Sequence, residues 1–354
     1  MTIILKVPGA AGSSKKIRQA AAILRKGGIV VFPTETVYGI GANALDSRAC
    51  RRIYMIKGRA SDNPLIVHVS SMEMAERVAV IPKKYYSIMR KIWPAPLTII
   101  VKARLIVPKV VTGGLDTMAI RMPDNDVALS LIREAGVPIA APSANISSKP
   151  SSTNASHAIK YFYGKVDAII DSGSSKFGLE STVIDLKKFT LLRPGAYTME
   201  QARKDFGKKP KVTPQSRALS DSRSRPKSPG MKYRHYSPDK PIFLFTGNVN
   251  ALPRIVERFK GEFTFIGSRE SCKIMKGTSK NSIALGRRDD AGALASRLFG
   301  ALIALDDEDS KFAIIEGFSE KGIGLAMMNR IRKACAHKYF ADEKILQKHV
   351  RKIA

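Results

Sequence analysis

The chain has 354 residues, of which 44% are hydrophobic and 7% aromatic, and 60 Lys and Arg against 30 Asp and Glu give a formal net charge of +30. This length allows two domains with ordinary cores, and the hydrophobic fraction is typical of a globular, soluble protein rather than a disordered one. The basic excess favours a polyanionic partner such as a nucleotide, tRNA or other RNA, although a generally basic proteome would produce the same excess.

Three cysteines, Cys50, Cys272 and Cys335, share no metal-ligand spacing and do not form an even set in a short secreted chain. We therefore predict a reduced, cytoplasmic protein without a metal site of its own. The first eleven residues contain one lysine and too short an apolar run for a signal peptide. No apolar stretch approaches the roughly 18 residues needed to cross a bilayer.

Residues 1 to about 200 alternate apolar runs with amphipathic stretches. Strands are predicted at Ile29–Phe32, Leu65–Val69, Leu97–Val101, Met118–Met122, Val137–Ala141, Ala168–Ile170 and Thr182–Asp185. Helices are predicted at Lys15–Lys26, Ser47–Ile56, Met72–Val80, Lys83–Ile92, Val127–Ala135 and Asn154–Tyr161. This alternation predicts an α/β domain with a mixed sheet, because several connections are too short for a crossover helix.

The composition changes between Asp205 and Lys240, where ten basic residues and five prolines accompany few large apolar side chains. This change predicts a basic linker, 205–240, between a first domain, 1–204, and a smaller second domain, 241–354. The linker ends in SPGMKYRHYSP (Ser228 to Pro238), whose two tyrosines and histidine are dense for a spacer. We consider two roles for these aromatics: a lid over a ligand pocket, or an anchor against the second domain.

The second domain repeats a regular β-α alternation. Strands are predicted at Ile242–Phe245, Phe263–Ile266, Ser282–Leu285 and Phe312–Glu316, and helices at Ala251–Phe259, Ala291–Leu305, Gly322–Cys335 and from Asp342 onward. The pattern predicts a Rossmann-like open parallel sheet. No G-x-G-x-x-G follows its first strand and no Walker A motif is present, which argues against a dinucleotide or P-loop site.

The chemistry is concentrated in FPTETVYGIGANA (Phe32 to Ala44) and KGRASDNPLIVHV (Lys57 to Val69). Two strand ends and one helix end bring hydroxyls, two cations, an amide and an imidazole into one segment. Such a set suits a small zwitterion beside a polyphosphate.

These two motifs belong to an ordered series that continues with WPAPLTIIV (Trp93 to Val101), MAIRMP (Met118 to Pro123), APSANISSKPSSTNA (Ala141 to Ala155), LESTVIDL (Leu179 to Leu186) and RPGAYT (Arg193 to Thr198). The series resembles the YrdC-type threonylcarbamoyl-AMP synthases, and the linker SPGMKYRHYSP followed by a second α/β domain is similar to the long, two-domain form of these enzymes. The resemblance implies a first domain with a twisted open α/β sheet and a basic concave face.

The resemblance also implies a reaction. L-Threonine, bicarbonate or CO2, and ATP would give threonylcarbamoyl-adenylate and pyrophosphate, for making N6-threonylcarbamoyladenosine in tRNA. Mg2+ would arrive with ATP, and tRNA or the proteins that receive the intermediate would be further partners.

Site residues follow from the resemblance, position by position. Thr36, His68, Arg121 and Ser181 would bind L-threonine, and Lys57, Arg59 and Ser143 would be catalytic. ATP would be bound by Lys57, Arg59, Asn63, Thr117, Ser143, Asn145, Ser151, Arg193, His235 and Tyr236.

Several of these residues also have a purely structural interpretation. Lys57 and Arg59 flank Gly58, as at a helix C-terminus capped by glycine. His68 could be a packed, hydrogen-bonded strand residue. Arg121, in an apolar strand, needs an anion, which could be a structural carboxylate or the carboxylate of a substrate. Ser143-Ala144-Asn145 could be a turn that satisfies its own backbone.

Two departures from the family pattern stand out. The usual PTDT is PTET here, which retains a carboxylate at Glu35 one methylene further out, so we expect little effect. The usual S-G-x-x-S-P-T is SSKPSST, Ser147 to Thr153, which alters the loop's backbone pattern but keeps its polar groups.

Two rival functions are a non-catalytic basic RNA-binding protein of the same fold and a carbamoyltransferase of the hydrogenase-maturation type. Non-specific RNA binding needs positive charge but not these hydroxyls. The carbamoyltransferases add Cys-rich zinc motifs, which three scattered cysteines do not supply.

Overall fold

The computed structural model describes residues 1–8, 15–212 and 236–351. The chain forms two compact units, Met1–Ser147 with Ser151–Tyr233, and Ser148–Pro150 with Arg234–Ala354. The boundary between the two units, after Tyr233, lies inside the predicted linker 205–240. Of that linker, 213–235 lies outside the described residues, including Tyr233 and His235.

The described strands of the first unit are β1 (Ile3–Lys6), β2 (Val30–Phe32), β3 (Gly39–Asn43), β4 (Ile66–His68), β5 (Ala79–Val80), β6 (Leu97–Ala103), β7 (Thr117–Arg121), β8 (Ile139–Ala140), β9 (Ala168–Asp171), β10 (Thr182–Asp185), β11 (Thr190–Arg193) and β12 (Lys211–Val212). Its described helices are α1 (Lys15–Arg25), α2 (Ser47–Lys57), α3 (Met72–Val78), α4 (Lys83–Ile92), α5 (Lys109–Thr112), α6 (Asp126–Ala135), α7 (Ala155–Phe162) and α8 (Met199–Phe206). The strands and helices predicted for this unit are present, with shifted ends.

The strands of the first unit lie in one mixed sheet, in the order β1-β9-β2-β3-β8-β4-β7-β6-β10-β11-β12, with β5 beside β6. Strand β4 is parallel to β7, β7 is antiparallel to β6, and β6 is parallel to β10. The prediction of a mixed sheet is confirmed.

Strand β3 is absent from the sequence-based prediction because its sequence, GIGAN, contains two glycines, which strands usually avoid. Here the missing side chains are a packing requirement. A Cβ atom on Gly41 would lie 2.7 Å from the Phe32 ring and 2.7 Å from the Ile139 side chain. The glycine thus lets β3 pack closely against the ring of Phe32 on β2.

The sheet has one thoroughly apolar face. Leu65, Val67 and Val69, together with the alternate residues of β6 and β7, belong to the main core with helices α1 to α8. The opposite face of the same strands carries His68, Thr98 and Arg121, because successive side chains alternate in direction. A smaller buried cluster, Ile66, Ile100, Ala119 and Val183, lies on that second face.

The second unit contains β13 (Ile242–Phe245), β14 (Phe263–Gly267), β15 (Asn281–Ala284), β16 (Phe312–Glu316) and β17 (Tyr339–Phe340), all paired in parallel in the order β15-β14-β16-β13-β17. Its described helices are α9 (Leu252–Ile255), α10 (Arg269–Ile274), α11 (Ala291–Ala304), α12 (Gly324–Ala334) and α13 (Glu343–Val350). The predicted open parallel sheet is confirmed. Strand β16 lies between β13 and β14, whereas the first two strands are neighbours in the common order 3-2-1-4-5.

The single helix predicted over Ala251–Phe259 is wrong. The structure has only α9 there, flanked by 3-10 turns at Val249–Ala251 and Glu257–Phe259. Pro253 lacks a backbone N–H and is tolerated only in the first turn of a helix, so the helix begins beside it. Val256, at φ −104° and ψ 8°, then ends it.

Residues Ser148–Pro150 belong to the second unit, which the sequence did not indicate. The Ser148 carbonyl accepts from the Ser237 N–H at 2.8 Å, and Lys149 Nζ lies 3.5 Å from Asp306 Oδ2. Ser148 has φ 72°, a left-handed conformation that favours glycine. It occupies the position at which the family pattern quoted above has glycine, so the loop keeps a glycine-like backbone.

Among the described residues, every helix is too short or too polar to cross a membrane.

A closely packed glycine of the first unit, Gly195, gives a test of the packing in that unit. A Cβ on Gly195 would lie 2.2 Å from the Thr182 nitrogen and 2.3 Å from the Ser181 carbonyl carbon, both backbone atoms. We expect Gly195→Ala to lower the free energy of unfolding by about 1–3 kcal/mol, as overpacking does. Gly292→Ala is the matched control, since its Cβ would lie 3.4 Å from the nearest atom, on Asp290. Equal denaturation midpoints for the two variants would contradict this account.

Candidate functional site

A row of buried polar side chains crosses the second face of the first unit's sheet. In register, His68 on β4 pairs with Arg121 on β7, and Arg121 pairs with Thr98 on β6. Paired residues on neighbouring strands point to the same face. His68, Thr98 and Arg121 are at most 4% exposed. The three side chains therefore form a continuous polar line in otherwise apolar strands.

Arg121 connects this row to the segment after β2. Its Nη1 donates to Thr36 Oγ1 at 2.9 Å, and Thr36 Oγ1 lies 2.8 Å from Thr34 Oγ1. Its Nη2 lies 2.5 Å from Glu35 Oε2. The structural carboxylate considered for Arg121 is therefore present.

The contact between Arg121 Nη2 and Glu35 Oε2 has the distance of an ion pair but not the geometry of a hydrogen bond. Glu35 Oε1 and Arg121 Nε are also buried and lack a hydrogen-bond partner among the described residues. Burying such groups without hydrogen-bond partners costs free energy, and a ligand that bonds to them recovers part of that cost. The Glu35–Arg121 pair therefore has hydrogen-bonding capacity left for a ligand.

Ser181 and Arg193 extend the row on its other side. Ser181 Oγ lies 2.7 Å from Thr98 Oγ1. Arg193 Nη2 donates to Ser181 Oγ at 3.1 Å and to the Ser181 carbonyl at 2.9 Å, while Nε reaches the same carbonyl at 3.1 Å. Arg193 thus fixes Ser181, which fixes Thr98.

His68 is a neutral imidazole. Burial, and next the nearby charge of Arg121, lower the pKa of His68 from 6.5 to about 3. Its Nδ1 lies 3.1 Å from the Ile66 carbonyl oxygen, which can only accept, so Nδ1 carries the hydrogen. The edge of Phe32 packs against the imidazole at a centroid distance of 5.9 Å. His68 is therefore both packed in the core and part of the polar row.

A second group of predicted residues gathers around the end of α2. Asp46 caps the start of this helix, and Gly58 ends it in a left-handed conformation at φ 59°. Lys57, only 1% exposed, donates through Nζ to the Ser143 carbonyl at 2.6 Å and to the Asn145 carbonyl. Burial, followed by the charge of Arg59, holds the pKa of Lys57 well below its usual value. The lysine thus joins the helix end to the Ser143–Asn145 turn.

Arg59 and Asn63 lie beside this helix end. Arg59 donates through Nε to the Asn63 carbonyl and through Nη2 to the Pro64 carbonyl, both at 3.0 Å. Asn63 Oδ1 is buried without a hydrogen-bond partner among the described residues. In the turn, Ser143 Oγ donates to Asn145 Oδ1 at 2.6 Å.

Ser151 links the turn to the polar row. Its hydroxyl donates to Glu180 Oε1 at 2.8 Å, and Glu180 precedes Ser181 in the chain. The residues around the end of α2 and the polar row are therefore connected through neighbouring segments of the first unit.

Three predicted residues, Thr117, Tyr236 and His235, are not among the contacts described above. Thr117 is on the same face of β7 as Arg121 but four residues away, roughly 13 Å at 3.3 Å per residue. Tyr236 belongs to the second unit, where its ring stacks on Phe299 at 5.1 Å and lies 5.7 Å from the Arg330 guanidinium. His235 lies outside the described residues.

The sequence did not indicate one residue of the row, Thr98, or one contact of the row, that between Glu35 and Arg121. Thr98 is the one polar residue in LTIIV, and that single break in an apolar run was its only signal. Glu35 was noticed, but its contact with Arg121 was not.

Among the described residues, no group of three or more His, Cys, Asp or Glu could hold a metal ion. A separate cleft of about 650 Å3 lies in the first unit between α4 and α8 and contains none of the predicted site residues.

Known proteins are similar to the chain over nearly its whole length. Residues 22–195 match the family described as "Telomere recombination", which covers Sua5, YciO and YrdC, and residues 195–336 match "Threonylcarbamoyl-AMP synthase, C-terminal domain". The chain is 43% identical to the threonylcarbamoyl-AMP synthase of Pyrococcus abyssi, over 96% of this chain and 99% of the relative. It is 41% identical to that of Bacillus subtilis, over 90% and 92%.

A solved structure is similar over the same length. The crystal structure of P. abyssi Sua5 complexed with L-threonine superimposes with a TM-score of 0.88 at 42% identity, covering 96% of this chain and 99% of that one.

The neutral state of His68 predicts a pH dependence of stability. Its folded pKa, about 3, lies below the unfolded value of 6.5, so on acidification the unfolded chain takes up the proton first. The contribution of the neutral His68 to the free energy of unfolding is complete above pH 6.5 and is lost as the pH falls towards 3. We expect wild type to lose about 1.4 kcal/mol per pH unit more than His68→Gln between pH 6 and 4. Urea unfolding at several pH values measures this difference, and parallel curves would contradict it.

Proposed function

Because the chain belongs to the Sua5/YrdC family of threonylcarbamoyl-AMP synthases, we propose that it condenses L-threonine, bicarbonate or CO2, and ATP into threonylcarbamoyl-adenylate and pyrophosphate. The reaction is a nucleotidyl transfer. Its product would supply the synthesis of N6-threonylcarbamoyladenosine in tRNA.

The observation that carries this proposal is the buried guanidinium of Arg121, which has donor capacity left after Thr36 and Glu35 are counted. A guanidinium binds a carboxylate through two parallel hydrogen bonds, so Arg121 is our candidate for the carboxylate of L-threonine. Thr36, His68 and Ser181 surround it and offer hydroxyl and imidazole groups to the remaining polar atoms.

The ATP site would lie along the same face of the sheet. Lys57 and Arg59, with Ser143, Asn145 and Asn63, would bind the phosphates, and Arg193 the adenylate phosphate. Between Arg121 and Thr117 the face is apolar, with Ile66, Ile100, Ala119 and Val183 buried there. An apolar strip ending in Thr117 suits an adenosine group, while Ser151 would complete the site near Ser181.

For the linker aromatics, the stacking of Tyr236 on Phe299 supports the alternative that they anchor the linker in the second unit. Contact of His235 and Tyr236 with ATP, and a lid formed by 205–240, stay predictions.

The chemistry needs positioning and charge neutralisation more than covalent catalysis. The amine of threonine adds to CO2, the resulting carbamate attacks the α-phosphate, and pyrophosphate leaves. Lys57, Arg59 and Ser143 would stabilise the charge that develops on the phosphate. A cysteine nucleophile does not fit, because burial raises the pKa of Cys50 to about 12, raises that of Cys272 to about 11 and raises that of Cys335 as well. Mg2+ would be held by the ATP phosphates, which suits a site without clustered carboxylates.

A non-catalytic RNA-binding role is less well supported. RNA binding of that kind uses exposed cations, whereas Lys57, Arg121 and Arg193 are at most 4% exposed. We retain tRNA and the acceptor proteins as further partners and the cytoplasm as the location, on the grounds of charge and reaction.

The reaction makes a direct prediction. Pyrophosphate release from ATP should require both L-threonine and bicarbonate and should fall sharply when serine replaces threonine, although the γ-methyl alone accounts for only about 1–3 kcal/mol. A coupled pyrophosphate assay with each substrate omitted in turn measures this. Equal release without threonine would refute the synthase assignment.

Substitution of Arg59 and substitution of Arg121 should affect the binding of ATP and L-threonine differently. Arg59→Ala should weaken ATP binding by about 1.5–3 kcal/mol, and Arg121→Ala should weaken threonine more than ATP. Arg52→Ala, which removes an arginine of α2 that pairs with Asp167, is the control for loss of charge. Calorimetry with each ligand separately distinguishes the effects.

Because Arg121→Ala leaves Glu35 buried without a cation, its thermal unfolding must be followed in parallel, and Arg121→Lys retains the charge. Identical losses for both ligands in both variants would indicate unfolding or a wrong assignment.

A further inference from the structure

The ion pair between Glu35 and Arg121 is electrically neutral and buried. The side chains are 2% and 4% exposed, respectively, and their closest atoms are 2.5 Å apart. The pair does not satisfy itself, since Glu35 Oε1 and Arg121 Nε lack hydrogen-bond partners among the described residues. An ion pair that served packing alone would be expected to use these atoms.

The backbone holds Glu35 in place independently of its side chain. The Glu35 carbonyl accepts from the Phe177 N–H at 2.9 Å. On either side, Thr34 and Thr36 bond to each other, and Thr36 also accepts from Arg121. The carboxylate therefore lies at a fixed position beside the guanidinium.

Charge balance limits what can bind to such a pair. A ligand with only a carboxylate would leave one net negative charge in a buried site, which is costly. A ligand with only an ammonium group would leave one net positive charge. A zwitterion, with its carboxylate on Arg121 and its ammonium group on Glu35, keeps the site neutral and uses the free atoms of both side chains.

We propose that Glu35 recognises the α-ammonium group of the substrate, so that Glu35 and Arg121 together select an amino acid over a plain carboxylate. This inference rests on the proposed function, since it takes Arg121 as the partner of the threonine carboxylate. It gives Glu35 a role in specificity beyond neutralising Arg121.

The alternative roles of Glu35 predict different effects of one substitution. If Glu35 only holds the guanidinium of Arg121 in position, Glu35→Gln weakens every ligand of Arg121, and if Glu35 only neutralises Arg121, Glu35→Gln tightens the binding of L-threonine as well as that of a monoanion. If Glu35 binds the ammonium group, Glu35→Gln weakens the zwitterion but favours a monoanion, because the charge of Arg121 is then no longer neutralised.

The experiment compares L-threonine with 3-hydroxybutyrate, which has the same carboxylate, hydroxyl and methyl groups but no amine. Calorimetry on the full chain without ATP gives both dissociation constants. We expect Glu35→Gln to weaken L-threonine at least about tenfold, the loss of one charged hydrogen bond, and to tighten 3-hydroxybutyrate. Glu35→Asp, which keeps the charge, should retain the wild-type preference.

Glu316→Gln is the matched control. Glu316 is also buried and lies 2.5 Å from an arginine, Arg288, but within the second unit. It should leave the ratio of the two dissociation constants unchanged. Should Glu35→Gln fail to fold, wild type still tests the inference, because both 3-hydroxybutyrate and threonine methyl ester should bind at least about tenfold more weakly than threonine.

Three results would be decisive against the idea: equal weakening of both ligands by Glu35→Gln, unchanged or increased threonine affinity, or wild-type affinity for 3-hydroxybutyrate equal to that for threonine. Failure of wild type to bind threonine at all would instead contradict the proposed function.

Discussion

The guanidinium of Arg121, buried within a β-sheet, is the interaction on which the candidate site depends. It lies in register with His68 and Thr98, contacts Thr36 and Glu35, and keeps unused donors. A buried cation needs hydrogen-bond acceptors or an opposite charge around it. The neighbouring strands therefore carry polar side chains at positions where apolar ones would otherwise pack. The imidazole of His68 is neutral first because burial lowers its pKa, and next because a second cation beside Arg121 would be unfavourable.

Lys57 plays the corresponding part in the second half of the site. It ends α2 and holds the Ser143–Asn145 turn through two carbonyl groups. The structural and functional interpretations of this segment are therefore compatible. The glycine cap that ends the helix also lies between Lys57 and Arg59, the residues that we propose bind the phosphates. The proposed site thus places an amino acid and a nucleotide on one face of one sheet.

The sequence predicted the α/β classes and most strands because apolar periodicity marks a buried face directly. A polar residue in an apolar strand stands out, which drew attention to His68 and Arg121, but their assignment to L-threonine came from the family resemblance. The sequence could not predict the partners of these residues. The pairing of Thr98 with Arg121, or the contact of Glu35 with Arg121, depends on register between strands distant in the chain. Local composition also misled at β3, whose glycines are required by packing, and at Pro253, which shortens a helix.

The most direct test of this account is a crystal structure with L-threonine and a non-hydrolysable ATP analogue. The account predicts the threonine carboxylate on Arg121, its ammonium group towards Glu35, and the phosphates beside Lys57 and Arg59 on the same face of the sheet. Threonine bound elsewhere, such as in the cleft between α4 and α8, with Arg121 contacting only Glu35 and Thr36, would contradict it.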